Sequence, residues 1–212
     1  MDKLSLSRSV SRNLLKMKAI KFNFREPYVW ASGWRSPVYC DNRISLSDHR
    51  VRSLIRDAYV EVIQEKFPEV EVIAGVATGA IAQGVLVADK LGVPFVYVRE
   101  KAKGHGLMKT IEGKLEPGQK TVIIEDLVST GGSSLKVTDE LRKAEANVLG
   151  MVAIFSYEFP TAIERFQEND CKLYTLSTFS MLKDVALEGG YITDEEIEKL
   201  NEWQKNPQDY FK

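Results

Sequence analysis

The chain is 212 residues long and 44% apolar, enough for one well-filled domain with a small appendage and too short for two complete enzymes. Its 29 basic and 30 acidic side chains leave a net charge of -1, which gives no electrostatic footprint for nucleic acid or an anionic membrane and favours a small-molecule partner. Cys40 and Cys171 stand far apart with no C-x-x-C pair, so neither a disulfide framework nor a zinc knuckle is indicated and a reducing cytoplasmic setting fits, while no apolar run approaches the roughly 18 residues of a membrane span and no signal-peptide core opens the chain.

In chain order, residues 1–21 are rich in Ser, Lys and Arg with Asp2 as the single acid, a composition superficially like a transit peptide. Val10, Leu14, Leu15, Met17 and Ile20 nevertheless approximate one helical stripe, which predicts a packed helix leading into the aromatic segment 22–30. Residues 30–43 are dense in aromatic, glycine and hydroxyl side chains, with turns at Gly33 and Pro37; by chemistry alone they could roof a planar base or form a packed surface hairpin. A second helix is expected over 48–66, with Ser47 or Asp48 as its N-cap. Alternation follows: a strand over 70–76, a helix over 81–91, a strand over 95–98, a strand over 121–124, a helix over 136–146, and strands over 148–155 and 173–176.

That succession predicts an α/β fold with a mostly parallel central sheet flanked by helices. We expect a single domain over 1–212, with the α/β core at about 70–176. Residues 1–50, outside the alternation, form a small N-terminal hood over the sheet edge, joined by C-terminal helices around 180–187 and 195–203. Trp203 and the tail 206–212 are expected to pack against the body. Residues 99–120 are polar and lack helical periodicity, and so long a loop inside a compact domain predicts a mobile lid.

The most informative stretch is 121–134. The apolar run Thr121 to Ile124 ends in Glu125 and Asp126, then in a turn rich in glycine and hydroxyl groups before a helix. Gly131 and Gly132 allow the backbone close to an anion, and Ser129, Thr130, Ser133 and Ser134 add hydroxyl donors beside the unpaired amides of a helix start. This describes a phosphate cradle at the carboxyl end of a strand, where open α/β sheets bind ligands. Carboxylates beside a phosphate would repel it unless they accept hydrogen bonds from ribose hydroxyls or help to hold a divalent cation. No Lys follows the glycines, as a Walker A loop requires, and no G-x-G-x-x-G occurs. Arg99, Lys101, Lys103 and His105 gather four potential cations in the lid, suited to a departing diphosphate. A further small-residue turn at 73–80 can expose amides to the same group.

Residues 121–134 resemble the 5-phosphoribosyl 1-diphosphate (PRPP) signature of type I phosphoribosyltransferases, and the fold that resemblance implies is theirs. Arg99, Lys103, His105 and Gly106 match in register the lid pattern of orotate phosphoribosyltransferases, and Ser32, Gly33, Ser36, Pro37, Tyr39, Asp41 and Arg43 look like their N-terminal signature. Some family members carry Lys at the positions of Glu100 and Ala31, Tyr-Lys at Ala77 and Thr78, and an Arg near 156–159. The resemblance implies that Glu125 and Asp126 contact the ribose hydroxyls and that Leu127, Val128, Ser129, Thr130, Gly131, Gly132 and Ser133 hold the 5-phosphate. Arg99, Lys103 and His105 then serve the diphosphate, with Lys103, His105, Glu125 and Asp126 as the catalytic set and Ser129 also contacting orotate. It implies Mg2+ as cofactor with no direct protein ligand assigned, and a homodimer whose lid completes the neighbouring site. The activity implied is transfer of the phosphoribosyl group to orotate in pyrimidine biosynthesis. The rivals are transfer to another base, and a non-catalytic nucleotide sensor on the same fold.

Overall fold

A computed structural model describes residues 3–30, 32–99 and 110–211. Its main sheet joins β5 (Val72–Val76), β6 (Phe95–Val98), β7 (Ile111–Glu112), β8 (Lys120–Val128), β9 (Asn147–Ser156) and β10 (Leu173–Thr178) in the spatial order β10-β9-β8-β5-β6-β7. Every pairing is parallel except that of β7 with β6. Val122, Ile123 and Ile124 are fully buried, as strands covered by helices on both faces require. Each such side chain contributes about 1.5–3 kcal/mol relative to exposure. The chain runs outward from β5 to β6 and then returns to lay β8 on the other side of β5. The carboxyl ends of β5 and β8 therefore flank the point where strand order reverses, the usual position of a ligand crevice in such sheets.

The connecting helices are α2 (His49–Lys66), α3 (Ile81–Leu91), α4 (Gly132–Lys143) and α5 (Pro160–Glu168). The Asp48 carboxylate caps α2 by accepting from the amides of Arg50 and Val51, and Gly92, in the left-handed conformation at φ 70, ends α3. The N-terminal α1 (Lys3–Lys16) buries Leu6, Val10, Leu14 and Leu15 against the edge strand β10, α2 and α6 (Phe179–Glu188). Short ribbons follow, β1 (Ile20–Phe22) with β4 (Val38–Cys40) and β2 (Tyr28–Val29) with β3 (Arg35–Ser36), and a 3-10 helix spans Asn42–Ser47. Trp203 of α7 (Asp194–Lys205) is fully buried and packs edge-on against Trp30, Tyr157 and Phe159, its indole N–H donating to the Arg35 carbonyl at 3.3 Å. That one side chain ties the C-terminal helices to the N-terminal ribbons.

Several boundaries differ from expectation, each for a packing reason. The first helix stops at Lys16, and Lys18 turns the chain with φ 57, so Ile20 lies in β1 rather than on the helical stripe. Strand β8 continues beyond Ile124 to Val128 because β9 keeps pairing with it, Leu127 opposite Phe155 and Val128 opposite Ser156. Helix α4 starts at Gly132, so the last glycine of the turn and the serines after it form the helix's own first turn. Part of the stretch expected to be lid is sheet, since β7 pairs with β6 and Arg99 N–H donates to the Thr110 carbonyl at 2.9 Å. Helix α5 was not foreseen; Pro160 opens it and Ala162 and Phe166 form its buried side.

Candidate active site

A cavity of about 460 Å³ opens between the carboxyl ends of β5 and β8. The turn after β5 lines it with Ala77, Thr78 and Gly79, and the β8 end and following turn with Glu125, Asp126, Leu127, Ser129 and Ser133. Cys40, Asp41 and Arg43 come from the N-terminal segment. The Ala77–Thr78 peptide is cis. Arg43 grips Asp41 with two bonds, Nε to Oδ1 at 2.7 Å and Nη2 to Oδ2 at 2.9 Å, holding that carboxyl below its usual range. Burial, then the facing Asp126 and Asp41 carboxylates, push the Cys40 thiol up and keep it protonated.

The paired acids occupy different environments. Glu125 is 4% exposed; its Oε2 accepts from the Ser134 hydroxyl at 2.7 Å and its Oε1 from the Asp126 amide at 2.9 Å. Burial foremost, and the adjacent Asp126 charge next, raise its carboxyl well above the ordinary value. Asp126 is half-buried, with its carboxylate lying over Gly79 of the opposite turn. The backbone beneath the pair stays paired with β9, Glu125 opposite Ala153, and is held from outside the sheet as well. The last pair between β5 and β8 is Gly75 with Ile124, and beyond it the Tyr59 hydroxyl donates to the Glu125 carbonyl and Asn42 Nδ2 to the Asp126 carbonyl at 2.6 Å.

Among the described residues, neither helix start at this cavity has a side-chain cap, a lack that α5 shares with Phe159 at its N-cap. Helices α2, α6 and α7 have side-chain caps from Asp48, Thr178 and Thr193. Helices α3 and α4, which begin just after the cavity-lining turns, have none among the described residues; Ala80 and Gly131 stand at their N-cap positions. The first-turn amides of α4 are left for a ligand, while in α3 the Ile81 N–H already donates to the Thr78 carbonyl at 3.4 Å; both dipoles favour an anion there. Gly131 has φ 77, and a Cβ there would stand 3.0 Å from the Phe166 ring, so the turn requires glycine on two counts.

The structure thus brings together Glu125, Asp126, Leu127, Ser129 and Ser133, with Thr130, Gly131 and Gly132 completing the turn. Val128 is fully buried and offers only its backbone. Arg99 does not line this cavity. It borders a smaller one of about 170 Å³ with Thr110, Lys136 and Val137, and its guanidinium lies 3.6 Å from Glu112; Val137 touches both cavities. Lys103 and His105 lie outside the described residues. Sequence reasoning missed Tyr59, Asn42 and Arg165, whose Nη1 donates to the Thr130 carbonyl at 3.0 Å; Gly79 lies in the expected 73–80 turn, but its contact with Asp126 was not foreseen. These contacts all act across the fold, so no local pattern marks them.

Residues 45–177 match the family model described as the phosphoribosyl transferase domain. The chain is 50% identical to an orotate phosphoribosyltransferase of Porphyromonas gingivalis, covering 96% of this chain and 97% of that one. A namesake from Bacteroides fragilis is 51% identical, with 96% of each chain covered. Among solved structures, the orotate phosphoribosyltransferase of Aeropyrum pernix superposes with a TM-score of 0.74 at 28% identity, covering 87% of this chain and 99% of that one. Identity of this extent over nearly the whole of both chains, with the family match, shows that the chain belongs to the orotate phosphoribosyltransferases within the phosphoribosyl transferase family.

Proposed function

We propose that the protein transfers the phosphoribosyl group of PRPP to orotate, giving orotidine 5′-monophosphate and diphosphate in pyrimidine biosynthesis. The observation that carries this reading is the pair of uncapped helix starts facing one cavity with a carboxylate pair between them. Such a site suits a ligand with phosphate at each end and a sugar diol in the middle.

Asp126, the more open acid, takes the ribose hydroxyls, and Glu125 braces it through the shared peptide. The amides and hydroxyls of residues 129–133 hold the 5-phosphate, the amides of Thr78 and Gly79 and the Thr78 hydroxyl face the diphosphate, and Ser129 also reaches orotate; the Ala77 N–H is taken by the Val98 carbonyl at 2.9 Å. The reaction builds positive charge on the sugar and negative charge on the leaving group. The acids serve the first, and Arg99, Lys103 and His105 of the lid serve the second. We place these lid residues in the neighbouring subunit's site of a homodimer, which accords with Arg99 bordering a second, adjoining cavity and not lining the main one. Magnesium fits as an ion that keeps waters and substrate oxygens and needs few protein ligands; Asp126, half-buried at the cavity, is the acid open toward it, whereas both Glu125 oxygens are already engaged. When bound, it neutralises diphosphate charge. Both cysteines are free thiols, and no described helix is long and apolar enough to cross a membrane; a cytoplasmic setting accords with both.

The test is diphosphate release from PRPP and magnesium with orotate, uracil, hypoxanthine or adenine supplied in turn. Release with orotate alone is expected. Release with a different base would assign another acceptor, and release with none would favour a binding protein on this fold.

A further inference from the structure

The turn between β8 and α4 rests on α5. Phe166 lies under Gly131, and Ala162 Cα stands 3.8 Å from the point where a Cβ on that glycine would be. Arg165, exposed at the rim of α5, reaches across the turn, its Nη1 donating to the Thr130 carbonyl at 3.0 Å and standing 3.5 Å from where a Gly132 Cβ would be. Thr130 carbonyl and Gly131 N–H belong to one planar trans peptide, so the two point in opposite directions. A guanidinium that fixes this carbonyl toward α5 therefore turns the Gly131 N–H away from α5, to the side where Ser129 and Ser133 line the cavity. That N–H has no acceptor among the described residues, and no side chain caps the helix behind it. The guanidinium also adds a full positive charge beside the partial charge of the helix start.

We propose that Arg165 is a positioning residue for the 5-phosphate of PRPP: it sets the Thr130–Gly131 peptide so that Gly131 N–H and the first amides of α4 converge on the phosphate. Its role is to pre-form the cradle, which lowers the cost of ordering the turn when substrate arrives. The proposal rests on the reading of residues 129–133 as the 5-phosphate site.

Arg165→Ala and Arg165→Lys test it, by steady-state kinetics in PRPP and by calorimetric titration with ribose 5-phosphate and with ribose. In Arg165→Ala the KM for PRPP is expected to rise about fivefold, the scale of a hydrogen bond from a charged donor at an exposed site. Affinity for ribose 5-phosphate should fall in parallel, with kcat, the KM for orotate and the melting temperature unchanged. Arg165→Lys, which keeps the charge and one donor, is expected to recover most of the loss. An unchanged KM for PRPP in Arg165→Ala, or a fall in kcat alone, would overturn the proposal. If the wild-type protein binds ribose 5-phosphate no better than ribose, the cradle reading itself fails; if it discriminates and Arg165→Ala discriminates equally, only the role of Arg165 fails.

Discussion

The Asp126 carboxylate lies so close over Gly79 that a Cβ on this glycine would stand 2.3 Å from Oδ2 and 2.5 Å from Cγ. Two loops from different strands thus meet through one missing side chain, and the acid proposed to take the ribose is placed against the turn proposed to face the diphosphate. Gly79→Ala must displace that carboxylate or the turn. We expect kcat/KM to fall at least about tenfold, about 1.4 kcal/mol of transition-state stabilisation. Gly118→Ala is the control: Gly118 also needs glycine, with φ 80, but nothing lies within 4 Å, so it should lose stability and keep activity. Equal activity losses in the two variants would show that the Asp126 contact is immaterial.

Asn42 is 2% exposed and joins the N-terminal segment to the Asp126 carbonyl. Asn42→Ala leaves that carbonyl without its donor and is expected to cost about 1–3 kcal/mol of stability. Urea denaturation measures this directly, and a midpoint equal to wild type would refute the clamp.

Glu125 supplies a pH dependence whose sign follows from its burial. Its folded-state pKa is raised, so its neutral form suits the fold; the associated stability is fully present below the unfolded value of 4.5 and is lost as pH rises through the folded value. Glu125→Gln keeps a neutral group that can accept from the Asp126 amide and donate to Ser134 Oγ. It should therefore melt higher than wild type at neutral pH, with the difference vanishing toward acid pH, while activity drops. A variant that melts lower at pH 7 than wild type would contradict the assigned cause.

Gln83, on the buried side of α3, is 2% exposed and neither amide atom has a partner among the described residues. An unpaired buried amide costs free energy that an apolar residue of similar length does not. Gln83→Met is expected to stabilise the protein by about 1 kcal/mol. A lower melting temperature would mean that the amide is satisfied by a group outside the described residues.

Much of the fold was legible because local chemistry and tertiary packing agree there. Residues 81–91 and 95–98 form the expected helix and strand, punctuated by Gly92 and Pro94. The acids and glycines of 125–132 marked the site through their unusual order. What was not legible depends on partners far along the chain. Helix α5 spans only nine residues, Pro160–Glu168, about the shortest stretch over which a helical period can register, and β7 is too short to show a period. The β8 boundary was misplaced because alternation cannot show how long β9 continues alongside. Tyr59, Asn42 and Arg165 escaped notice because each acts on a backbone carbonyl, and the sequence at the donor carries no trace of its acceptor.

The most direct test of the account is a crystal structure with orotidine 5′-monophosphate bound. It should place the phosphate on the amides of 131–133, the ribose hydroxyls on Asp126 and the base within reach of Ser129. A nucleotide bound outside the crevice between β5 and β8, or with its phosphate against the 77–79 turn and its base in the 129–133 cradle, would contradict it.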